Sequence, residues 1–130
     1  MQKPNSKKNR AKNAAEFRWQ QWLKEQPCSF CGSTSGSIVD HCKGSTFKHN
    51  KRMIGEIFCN SKCLKCDTVV TLGTRRDLFS RWGITDSDAT INQLMKYRKE
   101  TSRSFPMEDI RAIADVYAEN EEITDWMKVL

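Results

Sequence analysis

The stretch from Pro27 to Gly73 decides the reading. It runs PCSFCG (27–32), then IVDHCKG (38–44), then IFCNSKCLKCD (57–67), then TVVTLG (68–73). Two close cysteine pairs bracket an Asp-His dipeptide, and a carboxylate follows the last cysteine. Cysteine thiolates suit Zn²⁺ in a closed tetrahedron, and two Cys-x-x-Cys knuckles are a common way to build one. Cys28 and Cys31 form the first pair. The second pair has two registers, Cys63 with Cys66 or Cys59 with Cys63. We favour Cys63 and Cys66, because two intervening residues match the usual knuckle. Cys59 is kept as the alternative ligand; otherwise it is a buried small hydrophobe, and Cys42 a thiol near the site.

Between the knuckles, Ile38-Val39 reads as a short strand leading into Asp40-His41. Adjacent strand residues point to opposite faces, so one can hold a metal while the other reaches a water beyond it. Hydrolysis of a phosphodiester around one hard cation needs oxygen ligands for Mg²⁺ and a base for the attacking water. Asp40 suits the first task and His41 the second, since a histidine titrates near neutral pH. Asp67, directly after Cys66, would bring a second oxygen from the start of a helix. By itself an Asp-His pair says nothing; its place between two knuckles is what gives it weight. His49 and Asn50 form a secondary option, a solvated loop being the plainer reading.

Outside this stretch the sequence reads as helices. Ala15, Trp19, Trp22 and Leu23 make one apolar stripe over 14–26, which Pro27 ends. Met53–Phe58 is expected as a second short strand, after a basic loop from Lys43 to Arg52. A short basic helix is expected over 74–82, with Leu78, Phe79 and Trp82 on one side and Arg75, Arg76 and Arg81 exposed; Gly83 ends it. Thr85 or Asp86 caps the next helix, with Ile91, Leu94 and Met95 inward. A further helix starts near Pro106 with Ile110, Ile113, Ala114 and Tyr117 in a stripe, and a last one carries Ile123, Trp126, Met127 and Leu130. The expected fold class is therefore α+β, mostly helical: a small zinc-stabilised core with an N-terminal helix and C-terminal helices. The divisions are a basic arm (1–13), a core with its leading helix (14–73) and a helical region (74–130) for dimerisation or partner binding.

Charge narrows the partners. The 130 residues carry +6, but residues 107–130 hold seven acids against Arg111 and Lys128, which leaves +11 on residues 1–106. Lysine and arginine displace condensed counterions from phosphates, so a positive body suits a polyanion. Lys48, Lys51, Arg52, Arg75, Arg76 and Arg81 are the expected DNA contacts. The basic block at 1–12 lacks the apolar segment of a secretory signal, and no apolar run approaches the ~18 residues of a membrane span. The expected setting is cytoplasmic, where cysteine pairs bind metal rather than form disulfides.

Residues 25–75 resemble the HNH, or ββα-metal, nucleases, and among them the phage recombination endonuclease VII family. The resemblance rests on Cys28-x-x-Cys31, Val39-Asp40-His41-Cys42, Ile54-Gly55-Glu56-Ile57-Phe58-Cys59-Asn60, Cys63-x-x-Cys66-Asp67 and Leu72-Gly73. It implies a ββα-metal core, a structural zinc on the cysteines, a catalytic Mg²⁺ or Mn²⁺ on Asp40, and His41 as general base. It also implies an endonuclease acting on duplex or branched DNA such as Holliday junctions, as a homodimer built on the helices after the core, in the bacterial host cytoplasm if phage-encoded. The chain departs from the family in placing Asp67 where Asn or His is usual and in its longer 43–52 loop. If zinc used Cys59 and Cys63, Leu64 would follow the knuckle, and leucine binds no metal. Two other readings stand beside the enzyme: a catalytically inactive zinc-stabilised DNA-binding or regulatory protein of phage origin, and a protein-interaction module.

Overall fold

The structure is a computed structural model, and it describes residues 12–116. The basic residues before Lys12, Tyr117 and the last expected helix, with Ile123, Trp126, Met127 and Leu130, lie outside the described residues. The first helix, α1 (Ala14–Lys24), starts at Asn13 because a capping box closes there. Glu16 N–H donates to Asn13 Oδ1 at 2.8 Å, and Asn13 N–H donates to Glu16 Oε1 at 2.9 Å, which satisfies two otherwise unpaired donors. Its stripe buries Trp19 and Leu23 completely.

Four short strands follow: β1 (Ile38–His41), β2 (Lys48–His49), β3 (Arg52–Met53) and β4 (Cys59–Lys62). β1 pairs antiparallel with β4, placing Asp40 opposite Asn60 and His41 opposite Cys59. β2 and β3 form a separate hairpin inside the basic loop. Asn50 and Lys51 turn it with φ of 53° and 66°, the positive values that a tight two-residue hairpin turn demands at both central positions.

The expected strand at 53–58 lies elsewhere: Ile54–Phe58 is turn and loop, and the strand is Cys59–Lys62, within the span read as a knuckle. Every residue of β4 is buried, yet its CNSK sequence shows no apolar alternation. Polar partners replace hydrophobicity there. Ser61 donates to the Leu23 carbonyl at 2.6 Å and its N–H to Gln93 Oε1 at 2.9 Å, while Thr90 donates to the Cys59 carbonyl at 3.1 Å.

The remaining helices are α2 (Leu64–Leu72), α3 (Arg75–Trp82), α4 (Asp86–Thr101) and α5 (Met107–Asp115). Thr74 and Thr85 close capping boxes with Asp77 and Asp88, and Gly83 ends α3 with φ 70°. One core gathers Trp19, Leu23, Phe58, Ile91, Leu94 and Ile113. A second gathers the knuckle cysteines with Phe30, Leu78 and Ala89. Both cores take residues from before and after Gly73, so the expected division at 73/74 does not separate two packed units. The class is α+β as expected, about half of it helical. Among the described residues no helix is long and apolar enough to cross a membrane.

Candidate functional site

The four knuckle cysteines come together. The sulfurs of Cys28, Cys31, Cys63 and Cys66 all lie within 4.8 Å of one another, with Cys31 Sγ 3.6 Å from Cys63 Sγ. Zn–S bonds of about 2.3 Å in a tetrahedron put sulfurs about 3.8 Å apart, so the set fits zinc. Backbone amides are aimed at the sulfurs: Phe30 and Cys31 N–H at Cys28 Sγ, and Cys66 N–H at Cys63 Sγ, each 3.5 Å. Cys63 is also the N-cap of α2, where the helix dipole favours a thiolate. Burial pushes the Cys28 thiol up, but the amides of Cys31, Cys63 and Phe30 outweigh it and bring it down to about 7. Burial and neighbouring sulfurs push Cys66 up; a dication in the middle would remove that repulsion. Ser29 N–H and Oγ both donate to the Ser61 carbonyl, at 2.8 and 2.7 Å. That bond pair ties the first knuckle to β4, and so to β1.

The choice between registers falls to Cys66. Cys59 stands apart, fully buried in the larger core, its thiol donating to the Glu56 carbonyl at 3.4 Å. Burial pushes its thiol up, and its sulfur stands outside the group formed by Cys28, Cys31, Cys63 and Cys66.

Asp40, His41 and Asp67 are not assembled as the sequence suggested. Among the described residues they do not form a set of mutually close donor atoms. Asp40 and His41 do part to opposite faces of β1. Asp40 Oδ2 accepts from Lys62 Nζ at 2.8 Å and from Arg75 Nη1 at 2.7 Å, and its Oδ1 faces Arg75 Nη2 at 3.4 Å. The carboxylate beside it is Asp86, at the start of α4, which accepts from Lys62 at 3.0 Å and Arg75 at 3.1 Å. Cys42 completes this group, its thiol 3.6 Å from Asp86 Oδ1. Two acids and two bases cancel, and burial raises the carboxylates less than their cations lower them. These residues do not fit a divalent cation on Asp40 and Asp67: both Asp40 oxygens are engaged by cations, and the Asp67 carboxylate has no partner among the described residues. Arg75, expected on the surface for DNA, is half-buried in this network.

His41 faces the other way. Its Nε2 lies 2.9 Å from Glu56 Oε1, and Gln20 Nε2 on α1 donates to the same oxygen at 2.8 Å and to the Glu56 carbonyl at 2.9 Å. The imidazole keeps 31 % of its side-chain surface exposed, against 9 % for Glu56. Gly55 makes this placement feasible, since a Cβ there would collide with the Gly44 carbonyl oxygen and with Ser45.

Of the other expected contacts, Lys48, Lys51, Arg76 and Arg81 are exposed. Arg52 is exposed but bonds Asp109 at 2.6 Å. His49 stacks on Phe47, and Asn50 reaches Asp115 at 3.4 Å.

Lys62, Asp86, Glu56 and Gln20 escaped sequence reasoning. A lysine among cysteines reads as a surface charge, and Asp86 sat where a helix cap was expected. Only the Glu56 neighbourhood of Gly55 carried a signal, a glycine followed by an acid between apolar residues. No family model, curated protein or solved structure matches the chain.

Proposed function

We propose that the chain is a DNA endonuclease of the HNH kind, hydrolysing phosphodiester bonds with His41 as the base. The observation that supports it best is the pairing of β1 with β4 beside the four-cysteine clamp. That pairing carries a half-exposed imidazole, held by a carboxylate, at the end of β1 and next to the strand that leads into α2. β1, β4 and α2, with a four-cysteine set beside them that fits zinc, resemble the strand, strand and helix of the ββα-metal nucleases. In the reaction a water oxygen attacks phosphorus and forms a P–O bond while His41 takes the water proton. The opposite P–O ester bond breaks, its electron pair leaves on the departing oxygen, and solvent protonates it. General-base help of this kind contributes about 10²–10⁴-fold. Exposed Lys48, Lys51, Arg76 and Arg81 would supply sequence-independent affinity for the backbone. Branched DNA and a homodimer through the later helices belong to this reading.

A second reading is a zinc-stabilised DNA-binding protein without chemistry. The engagement of Asp40 by Lys62 and Arg75 favours it, because that carboxylate holds no spare charge for a catalytic cation. Supercoiled plasmid and a four-way junction, each with Mg²⁺, Mn²⁺ or EDTA, separate the two. Nicking by the natural chain, lost in His41→Ala with zinc content and gel-shift affinity retained, supports the enzyme. Binding without nicking in any lane, or undiminished nicking by His41→Ala, overturns it.

A further inference from the structure

Glu56 and Gln20 meet at the Nε2 of His41, Lys12 holds the far end of the Gln20 amide, and their donor and acceptor inventories leave a single consistent arrangement. Lys12 Nζ can only donate, and it lies 2.5 Å from Gln20 Oε1. That contact fixes the Gln20 amide with its oxygen toward Lys12 and its NH₂ toward Glu56. The NH₂ then donates to the Glu56 carboxylate and to the Glu56 backbone carbonyl, neither of which can donate in return. Gln20 Nε2 also passes 3.4 Å from His41 Nε2. An ionised carboxylate accepts only, so the 2.9 Å contact between Glu56 and His41 requires the proton on Nε2. The lone pair of a neutral ring is then on Nδ1, which has no hydrogen-bond partner among the described residues.

We infer that Glu56 is the positioning residue of His41: its carboxylate, aimed by Gln20, holds the Nε2 proton and presents Nδ1 as the basic nitrogen. The inference rests on the nuclease reading for what Nδ1 then does, but the arrangement itself is independent of it. A carboxylate or carbonyl on one ring nitrogen is the usual means of choosing which nitrogen is free to act. Here it also locks the ring plane. The second support, Gln20, comes from the face of α1 whose neighbours Trp19 and Leu23 are fully buried, so the rotamer of Glu56 is set by the core rather than by solvent.

Full-length, zinc-loaded protein labelled with ¹⁵N tests this by long-range proton–nitrogen correlation spectra. The chain has two histidines, so His49→Gln assigns His41. In spectra recorded at a pH where the ring is neutral, the expected pattern is protonation at Nε2, with a slowly exchanging downfield Nε2 proton. Glu56→Gln, which keeps the shape, should move that proton upfield, and Glu56→Ala should erase it. Gln20→Ala should speed its exchange while zinc stays bound. An Nδ1-protonated ring in the natural chain, or an Nε2 proton unchanged in both Glu56 variants, overturns the inference. If the chain nicks DNA, Glu56→Gln should lower kcat about tenfold and leave KM in place. If the spectra behave as expected while no DNA is cut, the nuclease reading falls and the assignment of Glu56 stands.

Discussion

Lys62 Nζ, with no side-chain surface exposed, sits 2.8 Å from Asp40 Oδ2 and 3.0 Å from Asp86 Oδ1. From the end of β4 it therefore joins β1 to α4, and Asn60 Oδ1 accepts from the same ammonium at 2.6 Å. A buried ammonium survives only when its three protons are matched, and here they are. The pair of acids would otherwise repel each other in a dry setting. Replacing Lys62 with Met leaves them to Arg75 alone. Breaking a buried pair from one side typically costs about 3–5 kcal/mol. Urea denaturation of zinc-loaded Lys62→Met should give an unfolding free energy lower by that amount. A loss under about 1 kcal/mol, the worth of an exposed pair, would mean the network is solvent-screened.

The same network sets an acid limb. Burial alone would raise Asp40 and Asp86, but Arg75 and Lys62 hold both below the ordinary carboxylate value. A depressed carboxylate contributes stability that is fully present above its unfolded value of about 3.9 and is lost as pH falls through the folded one. Thermal melts of the natural chain should therefore lose stability below about pH 4. Asp86→Asn should begin less stable and lose less over that range. Parallel curves for the two proteins would remove Asp86 from the account.

Zinc should be held by four cysteines and ignore the other two. Metal analysis should give one zinc per chain, and Cys66→Ser should lose it and unfold the second core around Phe30, Leu78 and Ala89. Cys59→Ala should keep its zinc, because that thiol packs in the other core. Its cost is then that of a small core truncation. Zinc lost from Cys59→Ala with retained binding in Cys66→Ser would reverse the register.

The clamp was legible because its signal is local. Cys28-x-x-Cys31 and Cys63-x-x-Cys66 state both residue type and spacing, and the helix stop at Gly83 and the cap at Thr85 do the same. β4 was not legible. Asn60, Ser61 and Lys62 are buried through partners far along the chain, Gln93, Leu23, Asp86 and Asp40, and no window of sequence contains both ends of such a bond. The expectation for Asp40 failed for the same reason. Its strand position followed from Ile38-Val39, whereas its neutralisation depends on where α3 places Arg75. His41 followed correctly to the opposite face, but Gln20 and Glu56 met it only through the packing of α1.

Arginines on α3 should divide into two kinds. Arg75 is committed to Asp40 and Asp86, while Arg76 and Arg81 are exposed. A phosphate contact adds affinity through counterion release, and each one lost lowers the salt slope by about 1. On the proposed DNA-binding reading, Arg76→Glu with Arg81→Glu should therefore weaken DNA binding uniformly across sequences and flatten the salt dependence by about 2, with the melting temperature nearly unchanged. Arg75→Glu should instead lower the melting temperature sharply, since it sets a third acid against the two that it now neutralises. Fluorescence anisotropy over a salt series, beside thermal melts of the same samples, reads both effects. If the double variant binds DNA with the natural slope, the exposed edge of α3 does not face the nucleic acid.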